Sequence, residues 1–168
     1  AALVDFLNWN YSPAILSLIL PLGLSFHIFT SLSYIIEVYR GKYKPEKNFF
    51  TYALYVSFFP KLVSGPIERP HNLLPQFREK HDFDYSRITA GLQRILWGFF
   101  KKIVIADNLA LYINQIYSQP HDYSGLVLLT ATVFFAFQLY SDFSGYTDIA
   151  LGSAQVFGFK LMENFNRP

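Results

Sequence analysis

The chain has 168 residues, of which 52% are hydrophobic, 19% aromatic and only 15% charged, and it contains no cysteine. Soluble domains carry about 25% charged residues, so this composition excludes an ordinary soluble enzyme, and the lack of cysteine excludes a disulfide framework or a thiolate metal site. The net charge of +2 hides an asymmetry: twelve of the fourteen Lys and Arg fall between Arg40 and Lys102, against five acids there. A basic block between apolar segments is the pattern left by retention of Lys and Arg on the cytoplasmic side of a membrane. Its position between apolar stretches argues against nucleic acid, the other usual partner of a basic patch. The chain begins on Ala, its single Met is Met162, and it reads as an internal piece of a longer protein, truncated at both ends.

The first apolar stretch, Ala14 to Tyr39, is long enough to cross a bilayer, which takes about 20 residues. Pro21 and Gly23 interrupt it, and "RGKYKPEKN" follows it, placing its C-terminal end at the cytoplasm. The second, Phe49 to Val63, covers only about 22 Å as a helix and ends in "FFPKLVSGPIERP", whose prolines break helix. A short re-entrant or tilted element is expected there. After a polar loop, Asp84 is placed to cap a helix carrying Arg87, Arg94 and Lys101 seven residues apart on one face. That amphipathic helix is expected at the cytoplasmic membrane interface. A further helix spans Ile103 to Tyr117, and the loop Ser118 to Gly125 has no Lys or Arg. The region Leu126 to Gly158 would be about 50 Å long as a single helix, so a bend near Gly145, or two helices, is expected.

Within that last region lies "QLYSDFSGYTDIALG", whose Asp142 and Asp148 are its only charges. A carboxylate in hydrocarbon costs about 2.5–3.5 kcal/mol even on insertion scales, so each needs a partner, a wet cavity or a chemical task. Six residues place them about 120° apart on a helix, which argues against a paired acid–base device. Each has a polar neighbour one turn away, Tyr146 for Asp142 and Ser144 for Asp148. Ser141, Gly145 and Gly152 recur at the spacing that lets helices approach closely. Two readings stay open: a polar knot that fixes helix packing, or a direct part in chemistry. His27 lies deep in the first span with no neighbouring acid or nucleophile, and reads as a structural contact before a catalyst. His71, His81 and His121 lack ligand spacing, and no metal site is expected.

Three stretches, "LPLGLSFHIFTSLSYIIEVYRG" (Leu20–Gly41), "FFPKLVSGPIERP" (Phe58–Pro70) and "DFSGYTDIALGSAQVFGFKLMENFNRP" (Asp142–Pro168), resemble in this order the membrane-bound O-acyltransferase (MBOAT) family, in its bacterial alginate O-acetyltransferase branch. "GFFKKIVIADNLA" (Gly98–Ala110) fits the same resemblance. The resemblance implies an all-α, polytopic enzyme of the bacterial plasma (inner) membrane. This chain would be part of one transmembrane domain, a larger rosette of helices around a thin core. Such an enzyme transfers an acyl group, here an acetyl, from a cytoplasmic-side donor to hydroxyls of an exported polysaccharide, as in alginate biosynthesis. The co-substrate would be acetyl-CoA or another acyl carrier, with no bound cofactor. The partners would be the lipid bilayer, the glycan acceptor and periplasmic or extracellular acetylation proteins.

By the same resemblance, the family's catalytic histidines lie beyond an "ENFNRP"-like stretch. No catalytic residue is then expected within this chain, and the chain alone should be inactive. Asp142, Ser144, Gly145, Tyr146, Asp148, Gly65, Pro66 and Arg69 would support the site. Relatives tend to carry Tyr or Phe where His27 stands, and an aromatic or apolar residue where Ser141 stands. The alternatives are D-alanyl transfer to teichoic acid, which belongs to a related branch, and a transporter or channel segment, since broken helices and buried acids also suit transport.

Overall fold

The computed structural model describes residues 23–62 and 65–165, and every regular element among them is helical. In chain order these are α1 (Leu24–Tyr39), α2 (Phe49–Ser57), a 3-10 turn (Phe59–Lys61), α3 (Pro70–Gln76), α4 (Tyr85–Phe99), a π-helical segment (Phe100–Ala106), α5 (Asp107–Ser118), a second 3-10 turn (Pro120–Asp122) and α6 (Gly125–Val156). The sequence-predicted span from Ala14 lies partly outside the described residues. Its described part, α1, starts after Gly23.

Local chemistry sets the boundaries. Asn48 caps α2 by accepting from the Phe50 and Thr51 amides at 2.9 and 3.4 Å. Asp84 caps α4 through the Arg87 amide at 3.2 Å, as its position predicts. Pro60 follows closely on the end of α2, and Pro70 opens α3 where a missing N–H is harmless. At nine residues, α2 extends only about 14 Å and is too short to cross a bilayer. Gly158, at φ 93°, ends α6 in the left-handed conformation. The Phe159 amide reaches back to the Ala154 carbonyl at 2.9 Å and the Gly158 amide to Gln155 at 3.0 Å.

The body of the molecule is an antiparallel hairpin. Residues 85–118 run through α4, the π segment and α5 without interruption, and α6 returns alongside them for 32 residues, each arm about 50 Å long. The expected division into two helices does not occur: α6 runs unbroken through Gly145, which is a point of contact between helices. A Cβ on Gly145 would lie 2.8 Å from the Gly98 carbonyl oxygen, and one on Gly98 would lie 2.6 Å from that of Gly145. One turn pair further on, Gly91 and Gly152 face each other in the same reciprocal way, at 2.9 and 2.6 Å. With only hydrogen at these four places the two backbones touch. The buried stripe that faces α6 continues as Gly91, Gly98, Ala106 and Ile113. The step across the π segment is eight residues where the others are seven.

The hairpin is polar and small inside and apolar outside. Ala131, Ser141, Ser144, Gly145, Thr147 and Gly152 are buried on α6, while Leu126, Leu129, Val133, Phe135, Phe137 and Leu139 are exposed. On the other arm Leu92, Leu96, Trp97, Ile103 and Val104 point outward. A water-soluble fold would reverse this arrangement. Among the described residues, α6 alone is long and apolar enough to cross a membrane.

The shorter helices pack against the C-terminal end of α6. Tyr55, Val56 and Phe58 from around α2, Leu73 and Leu74 of α3, and Leu151 and Ala154 of α6 form one buried cluster closed by Leu161. Phe58, Phe77 and Phe159 stack edge-on with centroids 5.1–5.3 Å apart.

Candidate functional site

Between the two close glycine contacts, Asp148 turns its carboxylate onto α4. Arg94 Nε donates to Oδ1 at 3.1 Å and Lys101 Nζ donates to Oδ2 at 2.7 Å. Two of the three cations on the basic face are therefore directed at α6. The arrangement follows from spacing. Arg94 and Lys101 are seven residues apart, flank the Gly91–Gly98 stripe, and meet the one acid between Gly145 and Gly152.

Arg94 also holds Glu163 in a two-pronged pair at 2.7 and 2.6 Å. The guanidinium keeps the Glu163 carboxyl below the usual carboxylate range. Two positive and two negative charges thus close one side of a cavity of about 190 Å³, which Tyr140, Ser144, Thr147 and Phe165 complete.

The segment carrying Glu163 is irregular, but three side chains fix it. Gln76 pairs with Lys160 through both amide groups, donating to its carbonyl at 2.9 Å and accepting from its N–H at 2.8 Å. The Glu68 carboxylate accepts from the Met162 amide. Arg94 supplies the third tie. Glu68 is fully buried and also accepts from Asn72 Nδ2 at 2.6 Å, while its carbonyl accepts from the Tyr55 hydroxyl at 2.6 Å. Residues 158–165 therefore form a strap stitched to α3, α4 and the loop before α3.

The predicted site residues fall into two groups. Ser144, Gly145 and Asp148 meet α4 and the π segment, and Ser144 and Asp148 line the cavity. Gly65, Pro66 and Arg69 lie at the second knot. Gly65 packs on the Lys61 backbone, where a Cβ would come within 2.3 Å of its Cα, and Pro66 is buried. Arg69 reaches Glu37 at 3.6 Å. The strap connects the groups, together with the buried cluster that joins α2 and α3 to α6.

Two sequence readings need correction. Asp142 is not an isolated buried charge: its side chain is 40% exposed and lies 2.7 Å from Lys102 Nζ, which Asp107 shares at the same distance. Ser144 is not the partner of Asp148; its hydroxyl has no partner among the described residues. Tyr146 is half-buried on α6. His27 is exposed on α1. His71 pairs with Glu37 at 3.0 Å, and His81 stacks on Phe159 at 4.6 Å while contacting the Gln76 carbonyl at 2.9 Å, so both have structural positions.

Sequence reading missed the roles of Arg94, Lys101, Glu68 and Glu163. The heptad spacing of Arg94 and Lys101 was visible, but its orientation was not. Glu163 sits in an irregular segment where no periodicity exists to read.

An inside-out helical hairpin, with a charge-balanced cavity in its polar interior, defines the class: an all-α membrane protein with a buried polar centre. The profile of MBOAT, the membrane-bound O-acyltransferase family, matches residues 46–168, and the chain belongs to this family. It is 41% identical to the protein named "Probable alginate O-acetylase AlgI" of Pseudomonas putida, over 98% of this chain and 35% of the relative. It is 35% identical to the peptidoglycan O-acetyltransferase of Helicobacter pylori, over 96% of this chain and 36% of the relative. The teichoic acid D-alanyltransferase of Bacillus subtilis is more distant, at 28% over 88% of this chain and 38% of the relative. The chain thus spans about a third of the length of these curated relatives.

Proposed function

We propose that this chain belongs to a multi-pass enzyme of the bacterial plasma membrane that transfers an acetyl group to hydroxyls of an exported polysaccharide. The observation that carries this reading is the 41% identity to an alginate O-acetylase over nearly the whole chain. The peptidoglycan relative acetylates a different glycan, so the reaction class rests on more support than the acceptor does. D-alanyl transfer is the second reading and rests on the weaker 28% identity.

In this reading the chain supplies a rigid wall of the reaction chamber. The glycine contacts fix α4 against α6, the Asp148 ion pairs fix their rotation, and the strap fixes the chain that leaves the wall. An acyl donor, acetyl-CoA or another acyl carrier, approaches from the cytoplasmic side as a co-substrate. The test is deletion of the gene followed by alkaline release and quantification of acetate from the exported polysaccharide. Acetate should fall to background and return on complementation. Unchanged acetate would overturn the proposal, and loss of releasable D-alanine would favour the second reading.

The basic region between Arg40 and Lys102 faces the cytoplasm in this arrangement. Cysteines introduced singly at the exposed Lys44 and Lys80 avoid the paired Arg78. Both should resist a membrane-impermeant thiol reagent applied to intact cells and should react after permeabilisation. Reaction in intact cells would reverse the orientation.

A further inference from the structure

The groove beside α1 changes character along its length. Phe29, Leu32 and Ile36 form one stripe of the helix and are 54%, 45% and 47% exposed. Arg40 continues the stripe at the end of α1, and Lys42 follows it. The facing wall is Ile67, which is also exposed, and Arg69, which reaches Glu37 at 3.6 Å near the same end. Together they bound an open groove of about 460 Å³, apolar at one end and cationic at the other.

Length and charge say what fits. From Phe29 to Arg40 the stripe rises about 16 Å, close to the roughly 15 Å of hydrocarbon in one leaflet of a bilayer. The cations then stand at headgroup level. Tyr39, 90% exposed, is placed there like the aromatic residues that mark membrane–water boundaries. The one acid in the groove, Glu37, is buried and already paired with Arg69 and, at 3.0 Å, with His71. Arg40 and Lys42 have no ion pair among the described residues. Three cations against one acid leave the groove positive, which attracts a phosphodiester and repels the ammonium of a zwitterionic headgroup. We infer that this groove is a binding site for one anionic phospholipid, an acyl chain lying on Phe29, Leu32, Ile36 and Ile67 and the phosphodiester held by Arg40 and Lys42. The lipid is a fixed ligand and not a reactant. The site needs the membrane in which the family resides, and depends neither on acyl transfer nor on which side the basic region faces. Its failure would leave the proposed function untouched.

The test uses the complete membrane protein. Native mass spectrometry in a neutral detergent should show saturable binding of phosphatidylglycerol and weaker binding of phosphatidylethanolamine. Arg40→Gln should weaken the phosphatidylglycerol complex about fivefold, and Arg40→Gln with Lys42→Gln about thirtyfold. Lys44→Gln with Lys47→Gln removes the same charge outside the groove and should leave binding unchanged. An equal loss in both double variants would show diffuse attraction to a basic surface and overturn the site, as would equal binding of the two lipids. Equal binding of glycerophosphoglycerol, which has no acyl chains, would overturn the lipid in favour of a bare anion. The occupant is read independently in cells with p-benzoylphenylalanine placed at Leu32, whose ketone inserts into a neighbouring C–H bond on illumination. Lipid adducts on the peptide bearing that residue should be enriched in phosphatidylglycerol over its share of the membrane. Adducts that mirror the membrane composition would show ordinary surrounding lipid and overturn the site. A crosslink to another segment of the same protein, or to a second copy, would show a groove covered by protein and overturn it too, whether or not the charge variants fold.

Discussion

Gly98→Leu should abolish the folded hairpin, and Gly98→Ala should already lower its thermal midpoint in detergent. Helix propensity alone says the opposite, since Ala is favoured over Gly by about 1 kcal/mol in a helix interior. Against that gain stands a collision. The new Cβ would meet the Gly145 carbonyl oxygen at 2.6 Å and the Ile149 amide at 2.9 Å, and both are backbone atoms that no rotamer change can move. The helices would have to separate, losing packing along the whole contact, at an overpacking cost of about 1–3 kcal/mol for one methyl and more for Leu. Gly125→Ala is the control: a Cβ there meets nothing within 4 Å. Its midpoint should match that of the unaltered protein. A raised midpoint in Gly98→Ala would show that the helices are not in contact at this point.

Asp148→Ala is expected to be the second most damaging change, and Asp142→Asn to be mild. Removing Asp148 leaves Lys101 without its partner and Arg94 with Glu163 alone, inside an interface where the Asp148, Lys101 and Arg94 side chains are 14%, 19% and 28% exposed. Breaking a fully buried pair costs about 3–5 kcal/mol; the residual exposure brings this to about 2–3 kcal/mol. Asp148→Asn, which keeps an acceptor but loses the charge, should cost about half as much. Asp142 and Lys102 are each 40% exposed and Lys102 retains Asp107, so Asp142→Asn should cost less than about 1 kcal/mol. Denaturation midpoints of the three variants, measured together, check the ranking. Equal losses for Asp142→Asn and Asp148→Ala would remove the distinction between the two carboxylates.

Some element boundaries were legible in the sequence because local chemistry sets them, but the separate helix expected from Ile103 and the loop expected where α3 forms were not found. Asp84 caps a helix wherever it precedes one, and Pro60 stops one. The membrane class was legible from composition and from the charge block. Partners across helices were not. Nothing in the spacing of Asp142 and Tyr146 could reveal that Lys102, forty residues earlier, reaches Asp142. Gly145 was visible as a small residue, but a glycine within a helix signals either a bend or a close neighbour. Only the matching pair Gly91 and Gly98 on another helix decides between them. The cavity was half legible: Ser144 and Asp148 stood out, whereas Glu163 reaches Arg94 only because the strap is tied at Gln76 and Glu68.

The π segment at Phe100–Ala106 has a consequence for the length of the chain. Its turn is wider than an α-turn and absorbs one residue without rotating α5 about its axis. Ile113 and Ile116 can therefore face α6 in line with Gly91 and Gly98. Loss of a single residue between 100 and 105, with the helix closing to ordinary α geometry, would make this step seven residues like its neighbours and keep Ile113 and Ile116 on the contact, whereas closing to α geometry without a deletion would turn α5 by about 100° and carry them off it. This stretch of the chain can thus lose one residue without losing the register of α5, provided that the residue lost is not Lys101, the one side chain in it that lines the cavity.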